Sequence, residues 1–328
     1  MELNNYEVTA FDTHAMRIDG DDSRENRWHQ IIRIVDLRKD PVLKNGIVLL
    51  GFAVEEGVRR NHGRPGASTG PACLRDVLIN LPAGEITKGA LIDAGTIRCA
   101  AGDLEQSQQQ LARCVAYIIS NGGFPIVLGG GHEISYGHFQ GVKKVRDGKT
   151  GIINFDAHFD LRTPKPAGNS GTSFYQIAMD EQRTGGSYHY LAIGIQSISN
   201  TQLLFDRAQT LNVRWISRDK FHPMYATKND EVLKRFLAEI DHLYLTVDMD
   251  VFAAAFAPGV SAPAFNGIIP DAYFLAVFDA LINSKKLVSM DLAEFNPAFD
   301  RDKCTARFAA ELIFRAVQSK HKQIKTGL

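Results

Sequence analysis

Gly151-Ile-Ile-Asn-Phe155 runs directly into Asp156-Ala-His158-Phe-Asp160, and the fold can be read outward from that junction. The first five residues are a buried strand; the next five carry lone-pair side chains at alternate positions. Alternate residues of a strand share a face, so Asp156, His158 and Asp160 can point one way from its end. Fully extended, the two aspartates would stand roughly 13 Å apart, too far to share one ion. Either the chain bends after His158 or the ligands serve more than one metal. A second pair, Asp248-Met-Asp250, follows another apolar run, Leu243-Tyr-Leu-Thr-Val247. Two carboxylate-bearing strand ends in one chain point to a dinuclear site.

On either side of these runs, strand-like and helix-like segments alternate. Strands are predicted at 46–52, 90–93, 124–128, 151–155, 190–195, 213–216, 243–247 and 287–290. Helices are predicted from Pro71, and over 104–120, 135–145, 201–209, 230–240, 270–283 and 305–319. Pro71 and Pro270 suit a first helical turn, and Asn121-Gly-Gly123 stops the helix before it. A long polar loop is expected after Asp160. The alternation implies an α/β fold with a mostly parallel, doubly wound sheet. Ligands of such sheets bind beyond the carboxyl ends of the strands, where every candidate residue falls. No linker or repeat divides the chain, so a single domain over 1–328 is expected. Its first 45 residues lack a period and read as a surface extension.

The chain has 328 residues, 45% of them hydrophobic, enough for a substantial core. Its 37 basic and 37 acidic side chains cancel and form no basic stripe, so neither nucleic acid nor an anionic membrane is an expected partner. The longest clean apolar run, 47–54, falls far short of the ~20 residues of a membrane span. The first thirty residues hold many acids and no apolar stretch, which argues against a signal peptide. Cys73, Cys99, Cys114 and Cys304 are scattered and read as reduced thiols of a cytoplasmic protein.

Leu128-Gly-Gly-Gly-His132 closes another predicted strand. The glycines allow close backbone approach. Alone, His132 would be read as a structural histidine; beside two aspartate clusters it becomes a ligand candidate. His132, Asp156, His158, Asp160, Asp248 and Asp250 form an oxygen-rich set without cysteine, which favours Mn²⁺. Two such ions, typically ~3.5–4 Å apart, would hold a bridging hydroxide at neutral pH. Glu294, in Asp291-Leu-Ala-Glu294-Phe-Asn-Pro297, follows a further strand; it can bind a cationic substrate or serve a loop salt bridge.

Taken in order, GGGH, DAHFD, VDMD followed by Ala257-Pro258-Gly259, and Glu-x-Asn-Pro resemble the ureohydrolase family of arginases, agmatinases and formimidoylglutamases. The resemblance runs from about Gly46 to the C-terminus. It implies a three-layer α/β/α arginase-like fold and two Mn²⁺ per subunit. It implies that Asp156 and Asp248 bridge the ions while His132, His158, Asp160 and Asp250 complete the ligands. It further implies hydrolysis of a C–N bond in a linear amidine or guanidine, with Glu294 on the cationic group. Family members suggest a homo-oligomer, trimeric or hexameric, although no stretch of this sequence marks an interface. The family also often has an acid shortly after the second Asp of the DxD pair; here Val251-Phe-Ala-Ala-Ala-Phe256 has none.

The substrate is argued from two loops. Arginases and agmatinases place a proton-shuttling His before the Gly of the loop after DxHxD, and Ser170 stands there instead. Arg162 replaces the Asn found in arginases. Arg162 with Asn169-Ser170-Gly171-Thr172, and the loop Arg59-Arg60-Asn61-His62-Gly63-Arg64, resemble the formimidoylglutamase branch. N-formimidoyl-L-glutamate carries two carboxylates, which arginine pairs bidentately. Arg162, Asn169, Ser170 and one of Arg59, Arg60 or Arg64 are therefore the candidate substrate contacts. The expected reaction is attack of a metal-bridging hydroxide on the formimidoyl carbon, releasing L-glutamate and formamide, with Asp160 carrying the proton to the leaving amine by analogy. The alternatives are an agmatinase or guanidino-acid hydrolase releasing urea, and a non-catalytic metal-binding regulatory subunit.

Overall fold

In the computed structural model, which describes residues 2–11 and 16–327, ten strands join one sheet. They are β1 (Tyr6–Glu7), β2 (Arg33–Ile34), β3 (Ile47–Ala53), β4 (Leu91–Arg98), β5 (Phe124–Leu128), β6 (Thr150–Phe155), β7 (His189–Ile195), β8 (Arg214–Ser217), β9 (His242–Asp248) and β10 (Leu287–Ala293). The sheet order is β1-β4-β3-β5-β10-β9-β6-β7-β8, with β2 also on β4. Every pairing is parallel except that of β1 with β4. Residues 1, 12–15 and 328 of the expected domain lie outside the described residues.

The central strands are buried on both faces, which explains their continuous apolar runs. Alternation then divides each strand between two layers. Ile47, Leu49, Ile126, Ile153 and Leu245 face α3 (Gly70–Leu78), α8 (Ala226–Glu239), α9 (Ala272–Ile282) and α10 (Cys304–Thr326). Val48, Leu50 and Val127 face α4 (Leu104–Ser120) and α5 (Ile134–Lys143). Ile152, Tyr190 and Tyr244 face α6 (Ser173–Thr184) and α7 (Gln202–Thr210). Helices therefore cover both faces, as expected. Among the described residues no helix is long and apolar enough to cross a membrane.

Several boundaries differ from expectation. The polar loop after Asp160 contains α6, whose Phe174, Ile177, Ala178 and Glu181 form a buried stripe at helical spacing before Gly185 closes it at φ 69°. Pro270 lies outside α9, which is capped by Asp271 accepting from the Tyr273 and Phe274 amides. Strand β10 runs on to Ala293, so Glu294 stands directly at its end. Residues 1–45 do more than wrap the surface: Trp28 is fully buried and stacks on Phe314 with centroids 6.1 Å apart. Ile31, Leu37 and Leu43 are buried too, and β1 and β2 flank β4.

Candidate metal centre

Four strands adjacent in the sheet, β5, β10, β9 and β6, deliver the candidate residues from their carboxyl ends. After β5 the chain passes so close to Val54 that a Cβ on Gly130 would lie 1.8 Å from the Val54 carbonyl oxygen. Only glycine permits this passage, which Gly131 secures by donating to the same carbonyl at 2.9 Å. His132 follows. Its amide donates to Glu294 Oε1 at 2.8 Å, and its Nε2 meets Thr246 Oγ1 at 3.1 Å. A proton on Nε2, donated to Thr246, leaves the Nδ1 lone pair free.

The DxHxD stretch bends after His158, one of the two ways its reach could be met. Asp156 Oδ1 accepts from the His158 amide at 2.7 Å, turning the chain as β6 ends. Asp160 then adopts φ 50°, an uncommon backbone conformation for a non-glycine residue. Glu294 is held similarly at φ 62°. At the end of β9, Asp248 Oδ1 accepts from the Asp250 amide at 2.8 Å. Each turn uses one carboxylate oxygen locally and leaves the other for the centre.

The six ligand candidates converge. His132 Nδ1 lies 3.1 Å from Asp156 Oδ2, 2.9 Å from Asp160 Oδ2 and 3.1 Å from Asp248 Oδ2. His158 Nδ1 lies 3.4 Å from Asp156 Oδ1 and 3.3 Å from Asp250 Oδ2. Two ligand groups result, His132–Asp156–Asp160 and Asp156–His158–Asp250, with Asp156 common to both. The charges perturb one another. Burial alone would depress the His132 imidazole, but the three surrounding carboxylates raise it well above its ordinary value. Burial opposes the same rise at His158, where Asp250 and Asp156 overcome it. Burial and the neighbouring Asp250 and Asp156 charges push Asp248 well up; burial and Asp156 raise Asp160. Asp156 moves the other way: burial would raise it, but the two histidines hold it low. Burial, with Glu133 and Asp250, pushes Glu294 up to about 8.

His132 Nδ1 and Asp250 Oδ1 are buried without a hydrogen-bond partner, although carboxylate oxygens crowd the imidazole. Buried lone pairs and clustered negative charge fit divalent cations, and four carboxylates with two imidazoles suit a hard ion such as Mn²⁺.

Above the centre lies a cavity of about 300 Å³ whose lining includes Asp160, Asp250, Glu294, His62, Arg64 and Arg162. A roomier groove of about 580 Å³ between α9 and α10 gathers no comparable ligand group among the described residues. The substrate candidates separate. Arg162 is exposed at the cavity wall, and Ser170 lines it too, accepting from Asn61 Nδ2 at 3.1 Å. The Arg64 guanidinium donates to the Val260 and Ser261 carbonyls and stacks 3.7 Å from the Phe299 centroid. Arg59 is not brought to the cavity: it pairs with Glu56 at 2.6 Å in a segment that forms α2 (Glu56–Arg60). Arg60 is tied to Glu56 and Glu105. Asn169 caps a short helix, accepting from the Gly171 amide at 3.0 Å. Sequence reading overlooked Thr246 and Asn154, which buttress His132 and Asp156; both lie two residues before a ligand, on the same strand face.

The arginase family profile matches residues 45–318 of this chain. A formimidoylglutamase of Ralstonia nicotianae is 41% identical over 297 residues, covering 89% of this chain and 90% of that protein. The crystal structure of formimidoylglutamase from Bacillus subtilis shares the fold at TM-score 0.80 and 23% identity, covering 95% of this chain and 94% of its own. The structure of Trypanosoma cruzi formiminoglutamase with Mn²⁺ matches at TM-score 0.73 and 25% identity, covering 86% of this chain and 94% of its own.

Proposed function

The chain belongs to the arginase family, and from that premise we propose that it hydrolyses N-formimidoyl-L-glutamate to L-glutamate and formamide using two Mn²⁺ ions. The observation that carries this reading is the cavity itself: a floor of carboxylates and imidazoles beneath a wall bearing Arg162, which has no carboxylate partner among the described residues. Relatives named formimidoylglutamase, more than 40% identical over most of the chain, support it. His132, Asp156 and Asp160 would hold one ion; Asp156, His158 and Asp250 would hold the other, with Asp248 beside both. When bound, such a pair lowers the pKa of water and supplies a nucleophile at neutral pH.

The chain's own groups then bind, orient and move protons. Glu294, fixed through the His132 amide, presents its carboxylate to the cationic amidine. Arg162 pairs with a substrate carboxylate, so the molecule lies with its amidine down and its acid end up. Water adds to the formimidoyl carbon, the bond from that carbon to the glutamate nitrogen breaks, and formamide leaves. The departing nitrogen needs a proton, and Asp160, which lines the cavity, would carry it from the attacking water. Ser170, where relatives of other specificity carry histidine, orients substrate through Asn61 rather than shuttling protons. The four free cysteines suit a reducing, cytoplasmic setting.

A substrate panel with Mn²⁺ restored to chelated protein tests this reading. Formamide from N-formimidoyl-L-glutamate should exceed any urea from agmatine or guanidinobutyrate in kcat/KM. No formamide above background, or a preference for a guanidino compound, would overturn it.

A further inference from the structure

A second recess, about 320 Å³, opens off the metal cavity and shares Asn61, His62, Arg162 and Leu204 with it. Its charge is opposite. Arg60, Arg162, Lys165 and Arg207 line it, and no Asp or Glu does. Arg60 is already neutralised by Glu56 and Glu105. Arg162, Lys165 and Arg207 have no carboxylate partner among the described residues. Arg207 is nevertheless held in place: its guanidinium donates to the Leu161 carbonyl and lies 4.7 Å from the Tyr175 ring centroid. Three unneutralised cations in one recess repel one another, and of the three only Arg207 has contacts of its own to hold its charged head there. Such a recess is suited to an anion.

We infer that this recess is a vestibule for the outer carboxylate of a dicarboxylate substrate, with Lys165 and Arg207 as its specificity-determining residues. The inference rests on the reaction proposed above for the identity of the substrate. The α-carboxylate of N-formimidoyl-L-glutamate sits on the carbon that bears the amidine nitrogen. The side-chain carboxylate stands two methylenes further out. Arg162 belongs to both spaces and suits the near carboxylate; Lys165 and Arg207 lie only in the outer space and suit the far one. Leu203 and Leu204 give the intervening methylenes an apolar wall. The acidic floor and cationic rim set up a field that admits the substrate amidine-first, since both ends would be repelled in the reverse pose.

The test uses the full-length protein. Glutarate and propionate are titrated calorimetrically into metal-free wild type, Lys165→Glu, Lys165→Met and Arg207→Lys. Kinetics are measured with N-formimidoyl-L-glutamate and N-formimidoylglycine after Mn²⁺ is restored. Lys165→Glu should weaken glutarate binding roughly three- to tenfold and raise KM for the glutamate substrate similarly. kcat should hold, KM for the glycine compound should not move, and high salt should shrink the difference. Lys165→Met should fall between, and Arg207→Lys should keep most of the affinity. If wild type fails to bind glutarate, or binds it no better than Lys165→Glu does, the vestibule is overturned even where formamide release persists. If glutarate binding depends on Lys165 but no formamide is released, the vestibule stands and the proposed substrate fails.

Discussion

Two groups of buried charge sit at different places on the same sheet, and they are finished differently. At the β4 edge, Asp93 accepts from Arg75 Nε at 2.7 Å, from the Gly95 amide at 2.9 Å and from Thr9 Oγ1 at 2.6 Å. Arg75 spends its remaining nitrogens on Thr96 Oγ1 and the Gly95 carbonyl, both at 2.7 Å. At the ends of β5, β6 and β9, by contrast, four carboxylates crowd two imidazoles, and His132 Nδ1 and Asp250 Oδ1 have no hydrogen-bond partner. A buried ion pair with every hydrogen bond made holds two segments in register. A buried cluster with unmade bonds and two residues at positive φ costs stability, which a fold retains where something else will bind.

The largest way to break this comparison is to remove one carboxylate from each group. Asp156→Asn should reduce turnover well beyond the ~10–100-fold that loss of an outer-shell partner costs. It should also abolish Mn²⁺ binding by calorimetry. A metal-free Asp248→Asn variant should melt no lower than metal-free wild type, because burial and the Asp250 and Asp156 charges oppose ionisation of that carboxyl and one of several repelling charges is then gone. Asp93→Asn should do the reverse. Leaving Arg75 buried and unpaired should cost about 3–5 kcal/mol in a urea titration with unchanged slope, while activity per folded molecule holds. Equal destabilisation by Asp248→Asn and Asp93→Asn would refute the distinction.

Metal addition sharpens the same point at smaller scale. At a hundredfold excess over its Kd, Mn²⁺ should stabilise wild type by about 2.7 kcal/mol for each site filled. Asp93→Asn should gain the same increment from its lower baseline, and Asp156→Asn should gain none.

The two groups also differ in how far they could be read from sequence. The metal residues are legible because strand period and strand end place them: Asp156 and Asp248 each directly follow an apolar run, and Gly129-Gly-Gly131 announces a close approach before His132. The ~13 Å reach called either for a bend after His158 or for more than one metal, and Asp160 at φ 50° supplies a bend. Partnerships across long sequence separations were not legible. Nothing near Arg75 indicates Asp93. Likewise His138, six residues past His132, meets Asp291 Oδ2 at 2.6 Å across 153 residues, and Tyr244 donates to the same oxygen. Helix α6 was missed for a local reason: its apolar stripe is only three side chains, Phe174, Ile177 and Ala178, diluted by polar neighbours.

The loop arginines carry the comparison to the surface, where effects are smallest. The sequence singles out Arg162 but leaves Arg59, Arg60 and Arg64 unranked, and charge alone does not say which of them meets substrate. Their partners do. Arg59 and Arg60 are satisfied by Glu56 and Glu105, whereas Arg162 lines the cavity with no carboxylate partner among the described residues. Arg162→Gln should therefore raise KM for N-formimidoyl-L-glutamate about tenfold or more, the worth of a charge-assisted hydrogen bond, and leave the urea midpoint unmoved. Arg59→Gln should leave KM alone and change stability by less than about 1 kcal/mol, since an exposed pair with a flexible arginine contributes little. A rise in KM from Arg59→Gln matching that from Arg162→Gln would mean that the Glu56 pair opens to meet substrate, and pairing would then no longer separate structural arginines from functional ones.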